Sequence, residues 1–182
     1  YYPPGGLLIW IVIFLEFITF GIALIAMLYY SKDEPAVFHN SRLLLNINFG
    51  TINTIVIITS GFFMAECVRF LKLNNRKKAS FYLMLTIVFG FIFLVVKSIE
   101  YYQKIELGYV LSYNTFFSFY WMLTLFHVIH VLAGLTILIS MYKGVRESKS
   151  VTIREDVEAS AAFWHMCDLI WLLIFPVIYL LF

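Results

Sequence analysis

Two carboxylates, three histidines and a lysine–glutamate pair stand inside stretches that are otherwise apolar enough to cross a bilayer. Asp168 lies in the C-terminal stretch with Trp164, His165 and Trp171. At helical spacing, positions 164, 168 and 171 recur at i, i+4 and i+7, so they share one stripe with His165 beside it. Glu16 is the only charge in the first long apolar run. An aspartate near the centre of a spanning helix costs about 2.5–3.5 kcal/mol on insertion scales, so it must face a partner rather than lipid. Proton handling is the functional reading of such a carboxylate. The alternative is a structural carboxylate bonded to a histidine, a tryptophan N–H or a hydroxyl.

His127 and His130 are three residues apart on one segment, and His165 is on another. Opposed transmembrane histidines can ligate haem, but a stripe of Asp168 packed with tryptophan leaves little room for a porphyrin. Hydrogen bonding between helices is the expected use. The histidines and carboxylates lack the fixed spacing of a zinc or copper site, so no metal is expected. Lys97 and Glu100 are expected to form an i, i+3 ion pair at the outer membrane edge. Asn53 belongs to a run of Asn and Thr residues (Asn46, Asn48, Thr51, Thr54, Thr59) that reads as packing glue between helices rather than an ion path. Cys67 and Cys167 fall in separate apolar segments without CxxC spacing and read as inert buried thiols. No nucleophile–base constellation or phosphate loop accompanies them.

These residues need elements to carry them. Of the 182 residues, 62% are hydrophobic and 19% aromatic, and the mean hydropathy is +0.89. That composition belongs to an integral membrane protein. The expected fold is all-α, a polytopic bundle of five spans at about 7–30, 43–71, 80–102, 116–142 and 159–182, forming one domain over 1–182. The connection SKDEPAVFHNSR reads as a polar loop in which Pro35 stops any helix. A turn-like YYPPGG precedes the first span. Tyr1 in place of methionine implies a short missing N-terminal piece, and the first apolar run is too long for a signal peptide and reads as a retained helix. The net charge of +2 is too small to suggest nucleic acid.

Basic residues set an orientation. Arg69, Lys72, Arg76, Lys77, Lys78, Lys143, Arg146, Lys149 and Arg154 fall on one side of the predicted spans, against Lys32, Arg42, Lys97 and Lys104 on the other. The bias puts the N-terminus inside and the C-terminus outside. Glu16 and Asp168 then lie about 14 Å from the inner edge, with His130 and His165 at about 9 Å, at 1.5 Å per helical residue. Those four groups are expected to cluster in the inner half of the bundle.

The quoted residues also carry a resemblance. INTIVIITSG, KSIEYY, NTFFSFYWMLTLFHVIHVLAGL and AAFWHMCDLIWLLIFPVIYLL occur in this order along most of the chain. They resemble subunit III of the haem–copper oxidase superfamily, the cytochrome c oxidase subunit III family. The matching positions are Asn53–Thr54, Ser60–Gly61, Glu100–Tyr101, His127, His130–Val131, Gly134, Trp164–His165, Asp168 and Trp171. Glu16 falls where that family places a buried glutamate in its third helix. Two departures stand out: this chain begins at the family's third helix, and TLFHVIH replaces a pattern richer in glycine. The short form and the WHMCDLIW…FPVIYLL ending are also similar to the subunit III homologue that accompanies nitric oxide reductases.

The resemblance implies a non-catalytic subunit that stabilises subunit I, binds phospholipid and supports proton uptake during aerobic electron transport. It also implies that haem and copper reside in the partner subunits I and II, with no cofactor in this chain. The inside-positive bias and the short form point to a bacterial cytoplasmic membrane. Two readings from other classes stand beside it. One is a b-type cytochrome using His127 or His130 with His165. The other is a small proton-coupled transporter using Glu16 and Asp168, against which the absence of an inverted repeat speaks.

Overall fold

The computed structural model describes residues 6–147 and 152–182. The turn predicted around Pro3 and Pro4, and Lys149, lie outside them. Among the described residues there are six helices and no strand: α1 (Gly6–Asp33), α2 (Pro35–Leu43), α3 (Ile47–Lys72), α4 (Arg76–Glu106), α5 (Thr115–Glu147) and α6 (Thr152–Tyr179). All but α2 are long and apolar enough to cross a membrane. Every helix hydrogen-bonds its own backbone, which is what a bilayer interior demands of a spanning segment.

Most helix ends lie beyond the predicted spans, while α3 starts later, at Ile47, and α6 ends earlier, at Tyr179; local caps set several of these ends. Asn46 accepts from the Asn48 N–H at 3.0 Å at the start of α3, and Asn75 accepts from the Lys78 N–H at 3.3 Å at the start of α4. Asn114 does the same for Phe117 of α5 at 2.9 Å. Each short side chain satisfies an N–H that the first helical turn leaves orphaned. Gly108, at φ +79°, ends α4 with the Tyr109 N–H reaching back to the Lys104 carbonyl at 2.9 Å. Asn74, at φ +55°, turns α3 into α4.

The predicted loop after α1 is a correction. Pro35 starts a helix instead of stopping one, because the first helical position needs no N–H and suits the fixed φ of proline. The helix it opens, α2, covers one end of the bundle. Its buried Phe38 meets Phe116 and Phe182 at ring separations of 5.6 and 5.1 Å. Ser41 accepts from Asn114 at 2.7 Å.

The packing is coiled-coil-like. On α3 the buried positions include 50, 53, 57, 60, 64, 67 and 71, and on α4 they include 79, 83, 86, 90, 93, 97, 100 and 104. Both follow alternating steps of three and four, the seam of antiparallel helices in close contact. α1 buries only Ile13, Phe20, Leu24 and Met27 and presents the rest of its apolar surface outward, as a lipid-facing helix should.

α6 fills the space between α1, α3 and α5. Its Trp164 is completely enclosed. The indole passes so close to two glycines that a Cβ on Gly90 would stand 2.8 Å from one ring carbon and a Cβ on Gly134 2.9 Å from another. Those two glycines are the seat of the tryptophan. Gly50 serves Phe175 in the same way, at 2.8 Å.

This packing gives a direct test. Gly90→Val should lower stability by about 1–3 kcal/mol through overpacking, read as a lower midpoint of thermal denaturation in detergent. Gly21 has no atom near its would-be Cβ, so Gly21→Val should stay within about 0.5 kcal/mol of the parent chain. Equal effects of the two would contradict the seat.

Candidate functional site

The polar residues singled out in the sequence sort into four groups. In the largest, Lys97 and Glu100 form the expected i, i+3 pair, with Nζ 2.9 Å from Oε2, and each side chain is only 1% exposed. The pair is enclosed between helices towards the C-terminal end of α4. Glu100 Oε1 accepts from the hydroxyl of Tyr179 at 2.6 Å and from that of Tyr120 at 3.0 Å. Lys97 donates to Tyr179 at 2.9 Å and reaches Tyr120 at 3.5 Å. Its ammonium also lies over the rings of Tyr101, Tyr120 and Trp171, each at 5.1 Å. One turn further, Lys104 donates to the carbonyl of Leu44.

The group therefore ties α4 to α5 and α6, and Lys104 ties α4 to the segment before α3. A buried ion pair holds only when its geometry is good and the remaining donors and acceptors are filled, and both conditions are met here. A readable signal existed for this burial. Positions 97, 100 and 104 continue the 79–83–86–90–93 seam of α4 without a break.

The second group joins α1 to α5. His130 Nε2 lies 3.1 Å from Glu16 Oε2. The contact is close but off-axis, and Oε2 accepts no well-aligned hydrogen bond. On the other side of the ring, Nδ1 is 2.8 Å from the Phe126 carbonyl, which can only accept. Nδ1 is therefore the ring nitrogen that donates, and the Nε2 edge faces the Glu16 carboxyl group.

The third group is on α6. His165 Nδ1 lies 3.3 Å from Asp168 Oδ2, an i, i+3 contact. The Asp168 carboxyl group rests on the backbone of α3 at Gly61, where any Cβ would collide with Oδ2. Its other oxygen, Oδ1, is buried and makes no hydrogen bond among the described residues. The four residues expected to cluster thus form two separate pairs, Glu16–His130 and His165–Asp168.

Tryptophans form the fourth group. Trp164 donates to Ser60 Oγ at 3.2 Å, and Ser60 donates on to the Thr86 carbonyl at 2.9 Å, linking α6, α3 and α4. Trp171 donates to Thr54 Oγ1 at 3.0 Å. His127 was expected to hydrogen-bond between helices. It is instead enclosed by Trp171, Phe93 and Phe20, with ring separations of 5.3, 5.7 and 6.4 Å, and neither ring nitrogen has a partner. Asn53 is also fully buried, with no partner for its amide.

These positions do not build a bis-histidine haem site. His127 packs against Trp171, His130 turns to Glu16, and His165 opens onto the outer face between α3 and α6. Among the described residues no three metal-binding side chains converge. What the arrangement does is join the spans through polar contacts between helices, the Lys97–Glu100 group and the Trp164–Ser60–Thr86 chain above all. Tyr120 and Tyr179 are the partners that sequence reasoning missed, since neither a tyrosine near a helix end nor its spacing marks it as an ion-pair ligand.

Comparison with known proteins agrees with this picture. The family model described as cytochrome c oxidase subunit III matches residues 7–181. The chain belongs to the cytochrome c oxidase subunit III family. Cytochrome c oxidase subunit 3 of Synechocystis sp. is 33% identical over 132 residues, covering 71% of this chain and 55% of that protein. Cytochrome bo(3) ubiquinol oxidase subunit 3 of Buchnera aphidicola subsp. Schizaphis graminum is 27% identical over 177 residues, covering 94% of this chain and 91% of that protein. Cytochrome c oxidase subunit 3 of Spodoptera frugiperda is 30% identical over 129 residues, 70% of this chain. The chain therefore spans about half the length of the Synechocystis relative and nearly all of the Buchnera one.

The buried pair supplies its own test. Glu100→Ala leaves an unpaired ammonium in the bundle and should cost about 3–5 kcal/mol, whereas the apolar double replacement Lys97→Met with Glu100→Leu should cost much less. Denaturation of the three chains in the same detergent checks it. A double variant no more stable than Glu100→Ala would contradict the account.

Proposed function

We propose that this chain is a non-catalytic accessory subunit of a haem–copper respiratory oxidase, packed on the large redox subunit within a membrane. The observation that carries the reading is the nature of its buried polar residues. Each of the well-formed groups joins helices of the bundle, as the fasteners of a structural subunit do. Family membership supports the same conclusion, as do relatives that are themselves named as third subunits of oxidases. The haem and copper of such an enzyme would belong to the partner subunits.

In this reading the chain supports subunit I in proton uptake and shares phospholipid with it. It lies in a bacterial cytoplasmic membrane with its N-terminus inside and its C-terminus outside. The arginines and lysines at the α3–α4 turn and at the end of α5 support that orientation. Readings as a b-type cytochrome, a lone transporter or a nitric oxide reductase accessory subunit draw no support from the relatives' names.

The test is recovery of the tagged chain in a gentle detergent, followed by mass spectrometry and a reduced-minus-oxidised spectrum. A large polytopic oxidase subunit should be recovered with it, and the haem bands should remain with that subunit when this chain is stripped away. Haem that stays with the isolated chain, and is lost on His127 or His130 replacement, would overturn the proposal.

A further inference from the structure

At the end of the bundle where α3 turns into α4, some basic residues have partners and others do not. Arg69 pairs with Glu66, Lys72 pairs with Glu158, and Arg154 reaches the side chain of Asn74. Arg76 and Lys77 of α4 and Arg146 of α5 meet no carboxylate among the described residues. These three line one groove of about 280 Å3 between α4 and α5, and no acidic residue lines it.

The start of α4 adds to the positive field. A helix N-terminus favours negative charge, yet the first turn of α4 has no acid and opens on Arg76, Lys77 and Lys78. Arg76, Lys77, Arg146 and the positive end of the helix dipole thus share one groove with no negative charge to offset them.

Deeper in the groove the walls change in order. One turn beyond Arg76 on α4 comes Ser80, and one turn before Arg146 on α5 comes Tyr142. Ser80 is only 8% exposed, and its hydroxyl makes no hydrogen bond among the described residues. Thr54, Thr86, Ser98 and Thr124, also within helices, each donate to the carbonyl four residues back. Ser80 instead leaves its donor to the groove it lines. Phe81, 53% exposed, and Met84, 42% exposed, continue the wall toward the bilayer interior. At 1.5 Å per residue Met84 lies about 12 Å beyond Arg76.

Charge outermost, hydroxyls next and apolar carbon deepest is the order of groups that a phospholipid presents: phosphate, glycerol esters, acyl chain. A free anion would use the charged layer alone. A zwitterionic headgroup would bring its ammonium to a groove with no carboxylate to receive it.

We propose that the α4–α5 groove is a binding site for one anionic phospholipid. Its phosphate is held by Arg76, Lys77 and Arg146, its glycerol region meets Ser80 and Tyr142, and a chain lies along Phe81 and Met84. The inference rests on the accessory-subunit reading for its membrane setting, and gives the phospholipid of that reading a position and a charge.

The experiment uses the full chain, purified in a gentle detergent with whatever subunits accompany it and returned to phosphatidylcholine vesicles. The vesicles contain a minor share of phosphatidylglycerol whose acyl chain is photoreactive. Peptide mapping should find the label at Phe81 and Met84. Arg146 is exposed, so Arg146→Gln should keep the parent helical spectrum. It should lower the labelling about fivefold, the loss expected for one basic contact with an anionic headgroup. Arg69→Gln removes the same charge at the same end of the bundle, away from the groove, and should leave the labelling unchanged.

Equal labelling of the groove by photoreactive phosphatidylcholine would overturn the proposal and leave only a lipid-facing surface. Labelling of Arg146→Gln at the parent level would overturn it too. So would displacement of the lipid by inorganic phosphate at constant ionic strength, which would make the occupant a free anion. Any of these with the large oxidase subunit still co-purified removes the site alone. Labelling that depends on Arg146 in a chain recovered without that subunit would support the site and remove the accessory reading.

Discussion

The Lys97–Glu100 pair is the contact on which the far end of the bundle depends. An ammonium and a carboxylate in an apolar interior are tolerable only together, and only when their remaining donors and acceptors are filled. Two tyrosines from two other helices do the filling, Tyr120 of α5 and Tyr179 of α6. This fixes the rotation of each helix about its axis and their relative height, because hydroxyl, ammonium and carboxylate must meet within hydrogen-bond distance. Aliphatic packing alone constrains neither so tightly: slipping one turn would exchange one leucine contact for another.

At mid-depth the same task is done by a different device. Trp164 is seated against Gly90 and Gly134 and reaches across to Ser60. The glycines are needed for space, not for backbone freedom, since both lie in regular helix. The indole N–H finds the hydroxyl of Ser60, whose own proton goes to the backbone of α4. Glu16 and His130 then fasten α1, the least buried of the five spanning helices, to α5. The polar residues of this chain are thus mostly fasteners between helices, in a solvent where the hydrophobic effect does little to hold helices together.

Against that background Asp168 stands out by contrast. Glu16 and Glu100 each meet a group from another helix of the same chain, His130 in one case and Tyr120 and Tyr179 in the other. Asp168 has only a neighbour one turn away on its own helix and the bare backbone of α3. Among the described residues its Oδ1 shares this lack of a hydrogen-bond partner with the ring nitrogens of His127 and the amide of Asn53.

Much of this was legible in the sequence. Composition and the length of the apolar runs required a membrane protein of five spanning helices, because nothing else can satisfy the backbone in hydrocarbon. The Trp164–His165–Asp168–Trp171 stripe and the lone Glu16 marked the polar residues that matter. The residue pattern of the last four spans carried the family resemblance. Even the burial of Lys97 and Glu100 was written in the seam of α4, although a charge near a helix end reads more readily as solvated. What only the tertiary structure decided is who meets whom. Helical spacing fixes the face on which a side chain stands, not the neighbour across from it. So the expected cluster of four became two pairs, His127 was enclosed by aromatic rings without a partner, and two tyrosines far apart in sequence completed the ion pair. Pro35 turned from a helix stop into a helix start because the chain beyond it had a bundle end to cover. Those outcomes depend on the relative rotation and height of helices, and these are set by contacts between residues dozens of positions apart.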